Sequence, residues 1–277
     1  MKTVYTHVNV DLDNASSIAL MMLHNKEISL ENIKLVPSSW EPGPDGLKPG
    51  DLAIDIFAGG HGIKGKDLLI NNENKLGSAF TLILENMIDK GVYYKAFQPL
   101  ADFLDSLEAV GNWSSFYKDA GYKIPSDFPT ILQAFSALKF KFKKDDFKIL
   151  EHWAIIIEGL LEKELSRERA IKDADRAHWF APHIAYIKNA KEPFTSGVLY
   201  HRGAKFLIFE RTSINTLGVR TRPGSKVDLG KHLKELLPEW FHHPSGFMSC
   251  WGSDKAPQES PPQIEAETLA DYVLAIK

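Results

Sequence analysis

The sequence predicts an α/β protein in two parts: an N-terminal parallel-sheet, three-layer α/β domain with a helical extension, and a smaller C-terminal α/β domain. Three observations predict it. Short β-rich runs alternate with helical spacing from Thr3 to Ile88, apolar residues recur at helical intervals from Phe97 to Lys188, and β-like runs return after Glu192-Pro193. Strands that alternate with helices argue for parallel pairing, because a parallel pair needs a long crossover and a helix supplies it. A length of 277 residues suits two moderate domains. They are placed at residues 1–190 and 191–277.

In chain order, Thr3 to Val10 reads as a strand, Asp11 to Asn14 as an acidic loop, and Ala15 to His24 as a helix. Ile33 to Pro37 is a second strand and Glu41 to Gly46 carries turn chemistry. Asp51 to Phe57 is an apolar strand that runs into Ala58-Gly59-Gly60, and Gly77 to Ile88 has helical spacing. Helices are expected around Leu100 to Leu107, Ile131 to Leu138, Leu150 to Glu164 and Arg167 to His178. Beyond Pro193, Gly197 to His201 and Lys205 to Glu210 read as β-like runs, Leu229 to Leu237 and Ala266 to Ala275 as helices, and residues 256–262 as a surface loop.

Composition narrows the function. A hydrophobic content of 44% with 25% charged residues supports a packed core. A formal charge of −3 and a pI near 6.4 provide no basic field for coating long nucleic acids. The single cysteine, Cys250, excludes an intramolecular disulfide and a multi-cysteine metal centre, and fits a reducing cytoplasm. No run approaches the ~18 apolar residues of a membrane span, and no signal-peptide core follows Met1.

The residues with chemistry to offer begin at the end of the first strand. Strand ends are where open α/β sheets bind ligands. On an extended segment His7, Asp11 and Asp13 would point to one side, presenting an imidazole and two carboxylates suited to manganese, magnesium or zinc. The same residues also suit an ordinary acidic loop, in which Asp13 or Asn14 caps the helix and Asp11 meets its positive end. Asp55 adds a carboxylate within the apolar stretch Leu52-Ala53-Ile54 and Ile56-Phe57. Burying it there is costly unless it is paired or metal-bound, which favours a metal cluster.

These stretches resemble the DHH phosphoesterase superfamily. His7 to Leu20 is similar to its first motif, a histidine, three residues, an aspartate, one residue and an aspartate leading a helix; Asp51 to Asp55 is similar to the second. Leu76-Gly77-Ser78-Ala79-Phe80 resembles the small-residue helix start that follows the third. The resemblance implies that His7, Asp11, Asp13 and Asp55 ligate one or two Mn2+ or Mg2+ ions. The acidic stretch Ala101 to Asn112 is similar to a helix that completes the cluster, with Asp105 as the implied ligand and Glu108 second. The Asp-His-His triplet that names the superfamily occurs nowhere in the chain. Lys64-Gly65-Lys66 or Asn71-Asn72-Glu73 aligns with it, so the second metal position is altered. His61, or the charge of Lys64 or Lys66, is placed to stand in.

Leu217 to Arg222, Val227 to Leu233 and His242 to Phe247 look like the DHH-associated C-terminal domain. That likeness implies phosphate binding by Arg220, Arg222, His243 and Gly246, with domain closure completing the site. Glu239-Trp240-Phe241 stand where the family carries glycines. The expected activity is hydrolysis of a small phosphorylated substrate, a nucleotide or a short oligonucleotide, by cation-activated water. A homodimer is compatible with this reading, and a catalytically degraded binding protein of the same fold is the alternative.

Overall fold

The computed structural model describes residues 2–65, 67–70, 73–86, 91–110, 128–143 and 145–276. The chain divides into two compact units, Met1–Glu164 and Leu165–Lys277.

In the first unit, β1 (Val4–His7) pairs in parallel with β2 (Ile33–Val36) on one side and β3 (Leu52–Ala53) on the other. Helix α1 (Leu12–His24) connects β1 to β2, so the predicted strand–helix–strand crossover is present. An antiparallel hairpin, β4 (Asp67–Ile70) and β5 (Glu73–Leu76), precedes α2 (Ala79–Asn86). Local sequence hides this hairpin, because β5, Glu-Asn-Lys-Leu, has no apolar alternation and is mostly exposed. Then follow α3 (Gly91–Val110), α4 (Phe128–Phe142) and α5 (Asp146–Ala174).

The α1 stretch from Leu12 to Leu20 is buried throughout, which explains its run of small residues Asn14-Ala15-Ser16-Ser17. Small side chains let neighbouring segments approach this helix closely, while Leu12, Ile18 and Leu20 fill the core around it. Phe80 of α2 meets Phe97 of α3 edge-on at 6.1 Å, and Phe103 and Leu104 are also buried. Trp153 of α5 is fully buried and its Nε1 donates to Ser16 Oγ at 2.9 Å, tying the helical region to α1.

The second unit is built on a six-stranded mixed sheet in the order β10-β11-β9-β8-β7-β6. The strands are β6 (His178–Ala181), β7 (Ile184–Lys188), β8 (Phe206–Arg211), β9 (Thr216–Thr221), β10 (Phe241–His242) and β11 (Met248–Trp251). The parallel pair β7 and β8 is joined through α6 (Thr195–His201); α7 (Leu229–Leu233) and α8 (Ala266–Leu274) complete the unit. Its core joins Ile208, Leu217 and Val219 with Leu229, Leu233, Leu269 and Val273.

Three sequence expectations change. The helical stretch stops at Ala174, and residues 178–188 form the β6–β7 hairpin, whose alternation was hidden by Trp, Tyr and Ile that suit either element. Gly197 to His201 lies within a helix, not a strand; its apolar run is too short to show a period, and Leu199 and Tyr200 are buried. Arg222 lies one residue beyond β9, so it and Arg220 do not share a strand face.

Candidate metal centre

The end of β1, the N-terminus of α1 and the bend after β3 bring His7, Asp11 and Asp55 together. A ligand atom from each lies within 4.8 Å of the others, with no comparable group elsewhere among the described residues. His7 Nε2 is 3.1 Å from Asp55 Oδ2 and 3.5 Å from Asp11 Oδ2, while Nδ1 is 2.9 Å from the Val8 carbonyl. That carbonyl contact orients the ring so that Nε2 faces both carboxylates.

Asp11 serves two purposes. It is the N-cap of α1, its Oδ1 accepting from the Asn14 amide at 2.9 Å, while Oδ2 faces His7. Capping and cluster therefore coexist, with Asp11, rather than Asp13 or Asn14, as the cap. Asp55 is 3% exposed and sits at φ 55°, a left-handed conformation that few side chains other than Asn and Asp tolerate. Such a held, unfavourable backbone is common where a side chain must be aimed.

Electrostatics follow this geometry. Hydrogen bonds to Asp11 and then Asp55 raise the His7 imidazolium to about 10, against the pull of burial. Asp11 is pushed up by burial, but the His7 hydrogen bond and the Asn14 amide outweigh this and hold it below its ordinary value. Burial lowers Lys64, yet its hydrogen bond to Asp55 and that residue's charge keep it raised. Lys64 Nζ is 2.5 Å from Asp55 Oδ1.

Asp13 and Asp105 do different work. Asp13 is buried in the first turn of α1 and accepts from the Ala79 and Phe80 amides at 2.8 and 3.0 Å, anchoring the start of α2. Asp11 is the cap and Asp13 lies in the first turn, and Asp13 is not in the His7–Asp11–Asp55 group. Burial, then the Asp55 charge, raise Asp13 well above the usual carboxylate range despite those two amides. Asp105 is buried and accepts from the amide and hydroxyl of Ser78 at 2.7 and 2.9 Å. Glu108, the second choice on that helix, is the one that feels the cluster: burial and then the charges of Asp11 and Asp55 raise its carboxyl. His61 is exposed and outside the group. Lys66, Asn71, Asn72, Gly111 and Asn112 lie outside the described residues.

Sequence reasoning missed Asp146. This first residue of α5 accepts from the backbone amides of Asn9 and Val10 at 2.6 and 3.1 Å, clamping the loop between His7 and Asp11. Lys139 of α4 donates to Asn9 Oδ1 at 3.3 Å. Asn9 has φ 59°, so the loop turns sharply and exposes amides that need an acceptor. A contact across 137 positions leaves no local trace in the sequence.

In the second unit, the Arg220 guanidinium stacks 4.6 Å from the Phe209 ring, and Nε points at Met248 Sδ, 3.3 Å away. No carboxylate pairs with it among the described residues. It lines a cleft of about 420 Å3 with Lys191, Thr195, Arg211 and two carboxylates, Glu192 held by Arg169 and Glu210 held by Lys188. Arg222 is exposed. His243 opens a turn closed by the Gly246 amide, which donates to the His243 carbonyl at 2.8 Å. Gly246 has φ 70°, and a Cβ there would lie 2.6 Å from Asp228 Oδ1, so only glycine fits.

Fold and site together define a mixed α/β protein carrying a histidine–carboxylate cluster able to hold a cation. No protein-family model matches the chain, and no curated protein matches it. Among solved structures, it is similar to the pGpG-specific phosphodiesterase PggH of Vibrio cholerae, with TM-score 0.27 and 10% identity, covering 90% of this chain and 92% of that one. It is also similar to RecJ of Thermus thermophilus in complex with Mg2+, with TM-score 0.31 and 14% identity, covering 99% of this chain and 50% of the other. The chain thus spans half the length of that RecJ chain. At such scores neither likeness bears on chemistry, and the functional reading rests on the site's own residues.

Proposed function

We propose that the chain is a divalent-metal-dependent phosphohydrolase acting on a small phosphorylated or nucleotide substrate, with Mn2+ or Mg2+ held by His7, Asp11 and Asp55. The convergence of their ligand atoms within 4.8 Å carries the proposal. The donor set fits: two hard carboxylates and one imidazole are the mixture such ions accept. When bound, the cation supplies neutralisation of phosphoryl charge and a more acidic water. His7 must release the proton it holds between Asp11 and Asp55 to become a ligand. Asp13 and Asp105 set the frame by fixing the start of α2. The motif resemblance of His7 to Leu20 supports the reaction class.

Arg220 is proposed as the principal phosphate-binding group of the second unit, because its guanidinium, with no carboxylate partner among the described residues, faces a cleft and suits bidentate phosphate contact. Arg222, His243 and Gly246 are proposed as secondary contacts. The single cysteine supports a reducing, cytoplasmic setting, and no described helix is long and apolar enough to cross a membrane.

The second reading, a catalytically degraded binding protein of this fold, is favoured by one observation, the Lys64 ammonium seated on Asp55. Metal analysis of protein purified without chelators, followed by manganese-dependent turnover of a dinucleotide panel, separates the two. Bound metal with turnover is expected. Bound metal without turnover on a wide phosphoester panel supports the degraded form, and neither metal nor turnover overturns the hydrolase.

A further inference from the structure

We infer that the Lys64 ammonium is a built-in cation of the His7–Asp11–Asp55 cluster, so that the cluster takes one divalent ion rather than two. The inference rests on the cation reading above and adds the ion count to it.

Asp55 divides its two oxygens. Oδ2 faces His7 Nε2 at 3.1 Å, and Oδ1 is held by Lys64 Nζ at 2.5 Å. Nζ also lies 3.4 Å from the Asp55 carbonyl oxygen, so the ammonium is gripped twice by one residue. The backbone delivers it there. The Ile63 amide donates to the Ala53 carbonyl at 2.8 Å and the Asp55 amide to the Ile63 carbonyl at 2.7 Å, extending the sheet by one bridge and placing Lys64 beside Asp55. The turn before it needs Gly62, where a Cβ would stand 1.8 Å from the Ile56 carbonyl oxygen.

A carboxylate that holds one divalent ion on each oxygen needs both oxygens open to them. Here one oxygen already has a positive partner at hydrogen-bonding distance. A second divalent ion would have to displace the ammonium or sit a few ångströms from it, where like charges repel strongly in a partly buried site. Once His7 has released its proton, Asp11 and Asp55 against Lys64 leave one net negative charge, enough to attract one ion. Lysine suits this duty as a compact point charge on a flexible stem.

The test is Mn2+ binding to the full chain after chelator treatment, read as stoichiometry by calorimetry and as coupled or isolated spins by electron paramagnetic resonance. The native chain should bind one ion with an isolated-spin spectrum, Lys64→Met should bind two with a coupled spectrum, and Lys64→Arg should bind one. Should Lys64→Met lose its native near-ultraviolet circular dichroism, Lys64→Gln takes its place. Two ions on the native chain, or one on the neutral variant at unchanged affinity, overturns the assignment of Lys64 alone. No ion on either overturns the cation reading itself. None on the native chain with one on the neutral variant keeps the ammonium as the resident cation and overturns the one-ion count.

Discussion

Lys64 Nζ and Asp55 Oδ1, 2.5 Å apart, join a glycine-rich loop to the end of β3 and place an ammonium inside a cluster otherwise made of His7 and carboxylates. Asp55 thereby holds one cationic partner on each oxygen. It is the residue on which the cluster depends.

Asp55→Asn should therefore reduce Mn2+ affinity and turnover by about 100-fold or more, since one ligand and one charge are lost. Asparagine tolerates the left-handed backbone at this position, so thermal unfolding should still be cooperative. Full activity in this variant would refute the assigned cluster.

His7 determines a pH dependence. Its imidazolium is raised from 6.5 to about 10 in the folded, cation-free chain. The stability this contributes is fully present below pH 6.5 and is lost as pH rises through about 10. Melting temperature in chelator should fall over that window, and His7→Gln should flatten the fall. Because the proton and the cation compete for Nε2, apparent Mn2+ affinity should rise with pH toward about 10, with proton release visible as a dependence of calorimetric heat on buffer ionisation enthalpy.

Asp13→Ala should cost about 2–4 kcal/mol, because the buried Ala79 and Phe80 amides lose their acceptor. Chemical denaturation measures it. An unchanged midpoint would show that α2 does not depend on this anchor.

Asp146→Ala should loosen the His7 to Asp11 loop, with about 1–2 kcal/mol of stability lost along with the two clamped amides. Mn2+ affinity should weaken although Asp146 is not in the ligand group. Faster amide exchange at Asn9 and Val10 should accompany it.

Gly246→Ala should destabilise the second unit by more than about 1 kcal/mol, the cost of forcing a left-handed alanine, with the contact against Asp228 adding to it. The Asp228 cap on α7 is the feature under strain, and loss of the Lys231 amide's protection would report it.

The identity of the cluster was largely legible in local sequence. A histidine at the end of an apolar strand and an aspartate four residues on, preceding small helix formers, specify a strand end and a capped helix. A carboxylate embedded in the apolar stretch around Ile54 announced Asp55, because burial without a partner is too costly to persist. The resemblance ranks Asp105 above Glu108, but both lie on one helix, and only packing shows that Asp105 holds Ser78 while Glu108 feels the charges of Asp11 and Asp55. Lys64 was visible as a charge without a place. The three glycines before it were the available signal, for they allow the close turn that brings it to Asp55.

Local chemistry thus determined the α/β class and the first crossover and offered His7, Asp11 and Asp55 as candidate donors, because strand and helix periods, capping and the cost of burying charge are read over a few residues. Tertiary structure decided which charges meet. It sent Asp13 to the start of α2, seated Lys64 on Asp55, brought Asp146 across 137 positions to hold the loop, and made residues 178–188 a hairpin of the second sheet. Those outcomes depend on contacts between distant segments, whose free energy exists only once the chain has packed.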